Sequence, residues 1–163
     1  MSQPSVIHDT FVIERNYSAT PARVFAAFSD PAKKRRWFVE SGGHQVSAYE
    51  MDFREGGREH ARFTFKAGTP VAGLECINDT TYQVVVPSRY LLFANTMNIG
   101  GRTISASQVT VEVLPADGGC MLILTHQGAF FEGADGPEMR KRGWQALMDR
   151  LAAELASHAE QEA

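Results

Sequence analysis

Residues 137–157 read PEMRKRGWQALMDRLAAELAS. A proline suited to a first helical turn opens the stretch, and Asp135 or Gly136 stands ahead of it to start a helix. Trp144, Leu147, Met148, Leu151 and Leu155 fall at i, i+3, i+4, i+7 and i+11, which makes one continuous apolar stripe. The spacing predicts a helix from Pro137 to Ser157, about 30 Å long at roughly 1.5 Å per residue, enough to cross a whole sheet. Gly143 lies inside it, where glycine costs about 1 kcal/mol relative to alanine. Two readings of Gly143 stand: close backbone packing, or a hinge at the mouth of a pocket.

From Gly42 to Gly128 the period changes to two. Candidate strands are Gln45–Arg54, Glu59–Lys66, Thr80–Val86, Tyr90–Met97, Thr103–Leu114 and Cys120–Gln127. Turn chemistry separates them at Glu55-Gly56-Gly57, Pro87-Ser88-Arg89 and Asp117-Gly118-Gly119, among others. The connections are too short for parallel crossovers, so the pairing is an antiparallel meander. Ahead of it, Thr10 to Tyr17 reads as a further strand. Thr20-Pro21 and Asp30-Pro31 each place a capping residue before a proline, predicting two short helices, the second from Pro31 to Phe38. Residues 1–9 and 158–163 read as loose tails around one unit spanning 10–157. The layout is α+β. A sheet must cover its apolar face, and only the last helix is long enough to do so.

The 163 residues carry a net charge of −3, with 44% hydrophobic and 21% charged residues, an ordinary globular balance for one domain. A pI near 5.9 argues against nucleic-acid binding, which needs a basic surface. No apolar run reaches membrane-spanning length and the N-terminus lacks a signal-peptide core, so the expectation is a cytoplasmic chain. Cys76 and Cys120 fit no metal spacing and no disulfide framework.

Several motifs in this order resemble the activator of heat-shock protein 90 ATPase homologue family, within the START-like (SRPBCC) superfamily that includes polyketide cyclase-like proteins. They are Val12-Ile13-Glu14-Arg15, Ala19-Thr20-Pro21 with Val24-Phe25, and Asp30-Pro31 with Trp37-Phe38. Met51 to Arg58, Val86 to Leu91, Gly118 to Leu122 and Gly143-Trp144 with the leucine stripe continue the series, although Cys120 stands where threonine is more usual. The resemblance covers about residues 10–155. It implies a helix-grip fold: a curved antiparallel sheet of six to seven strands around the C-terminal helix, with a groove between them.

No nucleophile elbow, phosphate-binding loop or metalloprotease motif is present. The five histidines show no metal-ligand spacing, so neither a metal nor a cofactor is expected and no catalytic residue is assigned. Glu75 is a candidate lone pocket carboxylate. His60, with Arg62 and Thr64 on its face, reads as a hydrogen-bonded strand histidine. On the Gln45–Arg54 strand, Glu50, Asp52 and Arg54 read as outer, Met51 and Phe53 as inner. Lys33-Lys34-Arg35-Arg36 and Arg140-Lys141-Arg142 form two basic clusters. They either flank one opening and attract an anionic ligand or acidic partner, or are solvated helix faces.

The aromatics carry the binding hypothesis, because ligand pockets are apolar and aromatic with a few placed polar groups. Trp37, Phe38, Phe53, Phe63, Phe65, Phe93, Phe130, Phe131 and Trp144 exceed what one helix needs to cover one sheet, and Met148 on the helical stripe joins them as a candidate. Asn95, Ser107, His126 and Arg15 are the inward polar candidates. A packed core of the same residues is the competing reading. Three functions follow: a binding module for a small hydrophobic or amphipathic molecule, a chaperone-interacting ATPase activator, or a cyclase- or hydrolase-like enzyme using the same cavity. A protein partner and a homodimer remain open.

Overall fold

The computed structural model describes residues 5–158. Seven antiparallel strands form one sheet in the order β1-β7-β6-β5-β4-β3-β2. They are β1 (Val6–Tyr17), β2 (Gln45–Met51), β3 (Arg58–Thr64), β4 (Glu75–Val86), β5 (Tyr90–Ile99), β6 (Arg102–Ala116) and β7 (Gly119–Phe131). Helices α1 (Pro21–Ser29) and α2 (Pro31–Lys34) follow β1, and α3 (Gly136–Ser157) closes the chain across the sheet. This is the expected helix-grip arrangement.

Both cap-then-proline signals act as read. The Thr20 side chain accepts from the Arg23 amide, and Asp30 Oδ1 accepts from Ala32 at 2.9 Å and Lys33 at 3.2 Å. The second helix is shorter than expected. Beyond Lys34 the backbone widens into a π-helical turn over Arg35–Val39, where the Glu40 amide reaches the Arg35 carbonyl, then tightens over Glu40–Gly42. Trp144, Met148, Leu151 and Leu155 are buried as the stripe requires, each contributing on the order of 1.5–3 kcal/mol of apolar burial. Arg15, Tyr17 and Arg23 donate to the Gln145, Met148 and Leu155 carbonyls of α3, so β1 and α1 hold the helix along its length.

Several strand boundaries differ from the expected ones. β1 begins at Val6, inside the stretch expected to be loose, because Val6–Asp9 pair with Gly128–Phe131 of a longer β7. Those four residues are exposed, so they carry no burial periodicity. β4 begins at Glu75 rather than Thr80. Asn78-Asp79 has poor strand propensity, but ladders to β3 and β5 on both sides override it. β2 stops at Met51, before the Asp52–Gly57 turn, with Met51 and Phe53 facing the core and Glu50, Asp52 and Arg54 exposed, as read. The tail expected at 158–163 lies outside the described residues except for His158.

Candidate ligand-binding cavity

Cross-strand rows set the inner face of the sheet. One row runs Tyr82, Phe93, Val109, His126 and Phe11; the next runs Glu59, Thr80, Asn95, Ser107 and Gly128. The first packs largely into the core with α1 and α3, and its Phe93, Val109 and His126 also border open space. The second is polar, and a cavity of about 310 Å³ lies between the sheet, including Thr80 and Asn95 of this row, and the stretch of α3 from Met139 to Arg150. Phe63, Phe93, Asn95 and His126 line it from the sheet, Lys34 and Phe38 from the α2 region, and Arg140, Gly143, Trp144 and Leu147 from α3. Phe65 and Val71 also line it, as do the exposed Met139, Gly143 and Ala146 of α3, which mark where it opens to solvent.

The polar belt is connected. Asn95 Nδ2 donates to Asn78 Oδ1, to Thr80 Oγ1 at 3.0 Å and to the Asp79 carbonyl at 3.2 Å. His126 is 1% exposed, its ring stacked on Phe11 at 4.6 Å and on Phe130 at 5.9 Å. Burial first, then the Arg140 charge, lowers its pKa to about 4, so the imidazole is neutral at pH 7. Its Nδ1, with the Ser105 and Ser107 hydroxyls, has no hydrogen-bond partner among the described residues. Gly128 opens the notch that holds this ring: a Cβ there would stand 2.8 Å from His126 Cε1 and 3.1 Å from Ser107 Oγ.

Two ion pairs border the cavity, one fully buried and one part-buried. Lys34 Nζ lies 2.8 Å from Glu59 Oε1, both side chains under 5% exposed, and 4.5 Å from the Phe38 ring centre. Tyr49 donates to Glu59 Oε2 at 2.9 Å and Tyr82 donates to Oε1, so one buried carboxylate takes three donors. Burial, and then the Glu59 charge, raises both tyrosine hydroxyls well above their ordinary pKa. Arg140 holds Asp135 with two bonds of 2.9 and 3.0 Å and lies over Phe130. Asp135 therefore spends its carboxylate on Arg140 instead of capping α3.

Of the residues expected to bind a ligand, Phe38, Phe63, Phe65, Phe93, Asn95, His126 and Trp144 line this cavity. Trp37 does not: it is buried against Phe28, its indole donating to the Ala27 carbonyl at 2.8 Å. Phe53 packs between Phe25 and Tyr82, and Met148 is fully buried within the stripe. Phe130 lies behind His126, and Ser107 is buried beside Gly128. Arg15 docks α3 through Asp149 at 2.5 Å and is not among the cavity's lining residues. Glu75 is no pocket carboxylate. It pairs with Arg62 at 2.7 Å on the outside, where that hydrogen bond lowers its pKa. His60 bonds Asp79 at 2.6 Å on the outer face, as a strand histidine should.

The basic clusters divide. Lys34 and Arg140 do line the same cavity, but each is matched by a carboxylate, while Arg35 and Arg36 pair with Glu40 and Glu154. Gly143 contradicts the close-packing reading, since a Cβ there would meet nothing within 4 Å. Glu59, Tyr49, Asn78 and His44 were not anticipated. The available signal for Glu59 was its period-two register with Ala61 and Phe63, which places a carboxylate on an apolar face. Cys76 and Cys120 are both free and buried, burial pushing the Cys76 thiol up to about 12. Among the described residues no cluster suited to a metal occurs, and no helix is long and apolar enough to cross a membrane.

The family model described as Activator of Hsp90 ATPase homolog 1-like protein matches residues 18–156. The chain belongs to this family. The Mll3558 protein from Rhizobium loti, solved by crystallography, is 43% identical over 93% of this chain and all of its own, with a TM-score of 0.83. A Rhizobium leguminosarum protein is 35% identical over 94% of this chain and 97% of its own, with a TM-score of 0.87. CalU16 from Micromonospora echinospora, at 21% identity over 93% of this chain and 79% of its own, shares the fold with a TM-score of 0.60. No curated protein matches the chain.

Proposed function

We propose that this Activator of Hsp90 ATPase homolog 1-like chain is a binding module for a small hydrophobic or amphipathic molecule, held between the sheet and α3. One observation carries the reading: a 310 Å³ space walled by Phe38, Phe63, Phe93 and Trp144, with Asn95 and neutral His126 at its polar belt. Apolar walls supply affinity by removing the ligand's surface from water, and few convergent polar groups orient it. The polar Asn78, Thr80 and Asn95 side chains set among the cavity's aromatic lining support a ligand with at least one hydrogen-bonding group.

Native mass spectrometry of the purified chain, followed by fluorescence titration with the uncharged probe N-phenyl-naphthylamine, tests it. Gly143→Trp should reduce probe affinity about tenfold or more with unchanged circular dichroism, because the added ring enters open space at the mouth. Unchanged probe binding in that variant, or none by the native chain, refutes the reading. The family description favours a second reading, stimulation of a chaperone ATPase. An unchanged ATPase rate on adding the chain removes it.

A further inference from the structure

Three cations line the cavity, and only two are matched. Lys34 has Glu59 and Arg140 has Asp135, each at 3 Å or less. Arg150, near the opposite end of the lining stretch of α3, has no hydrogen bond or ion pair among the described residues. The carboxylates nearest along the helix are committed elsewhere: Glu154 takes the Arg36 fork at 2.7 and 3.0 Å, and Asp149 takes Arg15. Arg150 is half-buried, and burial disfavours its charged form. An unmatched cation in such a place costs free energy unless something completes it.

Its surroundings are built. A Cβ on buried Gly42 would stand 3.0 and 3.1 Å from the two terminal nitrogens of Arg150 and 2.9 Å from His44 Cδ2, so glycine leaves the space in which both side chains meet. His44 Nδ1 accepts from the Lys66 amide at 3.1 Å, which leaves Nε2, bonded to Cδ2, carrying the proton of the neutral ring. That ring stacks on Phe63 at 5.3 Å and meets Phe65 edge-on at 5.2 Å, joining the donors to the aromatic wall. Burial first, and then the positive potential of Arg150 and Lys66, lowers the His44 pKa, so its ring acts as a neutral donor beside the guanidinium.

Building on the cavity reading, we propose that the ligand is an amphipathic anion: its apolar body lies among Phe38, Phe63 and Trp144, and its oxyanion head is held at the rim by Arg150 with His44. A guanidinium presents paired N–H donors matched to a carboxylate, sulfonate or phosphate. The two matched cations deeper in the cavity offer no such vacancy.

Two probes of similar size separate this from the cavity reading: anilinonaphthalene sulfonate, an anion, and uncharged N-phenyl-naphthylamine. Arg150→Gln should weaken sulfonate binding about tenfold, the scale of one charge-assisted hydrogen bond at a part-exposed site, and leave the neutral probe unchanged. Arg150→Lys should restore part of the loss. Gly42→Ala, which keeps the charge but displaces the guanidinium, should weaken the sulfonate selectively. If the native chain binds both probes and Arg150→Gln changes neither, or changes both equally, the anion site is refuted while the cavity stands. If the native chain binds neither, both readings fall.

Discussion

Glu59→Gln isolates the buried charge network beneath the cavity. The substitution keeps the side chain's volume and removes its charge. Lys34, with a 4% exposed side chain, then loses a counter-ion at 2.8 Å, and the new amide presents donors toward the Tyr49 and Tyr82 hydroxyls. Breaking one side of a buried pair costs about 3–5 kcal/mol. The Phe38 ring 4.5 Å from Lys34 Nζ offsets part of this, up to about 2 kcal/mol for a desolvated cation–π contact, which places the expected loss near 3 kcal/mol. For a domain stable by about 5–15 kcal/mol, that is a large share. Urea unfolding followed by far-ultraviolet circular dichroism should show a midpoint lower by about 1 M or more, given a slope of about 1–3 kcal/mol per molar. Lys34→Met should cost less, because Glu59 keeps two tyrosine donors. The double variant should recover about 2 kcal/mol relative to the sum of the singles. A Glu59→Gln loss under about 1 kcal/mol, or strict additivity in the double variant, would refute the assignment of Lys34–Glu59 as a coupled buried pair.

Two further outcomes are expected. His126 has a folded pKa lowered to about 4 from an ordinary 6.5, so the unfolded chain binds its proton first. The stability tied to its neutral ring is complete above pH 6.5 and falls as acid is added, by about 3 kcal/mol down to pH 4. His126→Phe should flatten that part of the urea-midpoint profile between pH 7 and 4.5; an unaltered profile would contradict it. Gly143→Ala should raise stability by up to about 1 kcal/mol in the same urea assay, since the added methyl meets nothing within 4 Å and the site is helical and exposed. Destabilisation would revive the close-packing reading.

Local spacing made much of the architecture legible. The stripe from Trp144 to Leu155 identifies α3, and the caps at Thr20 and Asp30 place α1 and α2, because helix periodicity and capping involve residues within a few positions of one another. Period-two runs located β2 to β7, although Asn78-Asp79 hid the first turn of β4 until its neighbours on both sides could hold it. The aromatic lining was legible only in part. Phe63, Phe93 and Trp144 line the cavity, whereas Trp37, Phe53 and Met148 are equally apolar, equally periodic and packed solid.

The sequence by itself therefore determined the element order, the antiparallel pairing and the helix that covers the sheet. Only the tertiary structure decided which side chains share the cavity and which charges are matched. Lys34 meets Glu59 across 25 positions, and Arg36 meets Glu154 across 118. Those pairings depend on the sheet's strand order and the placement of α3, which no local period encodes, and among the described residues they leave Arg150 as the cavity's unmatched cation.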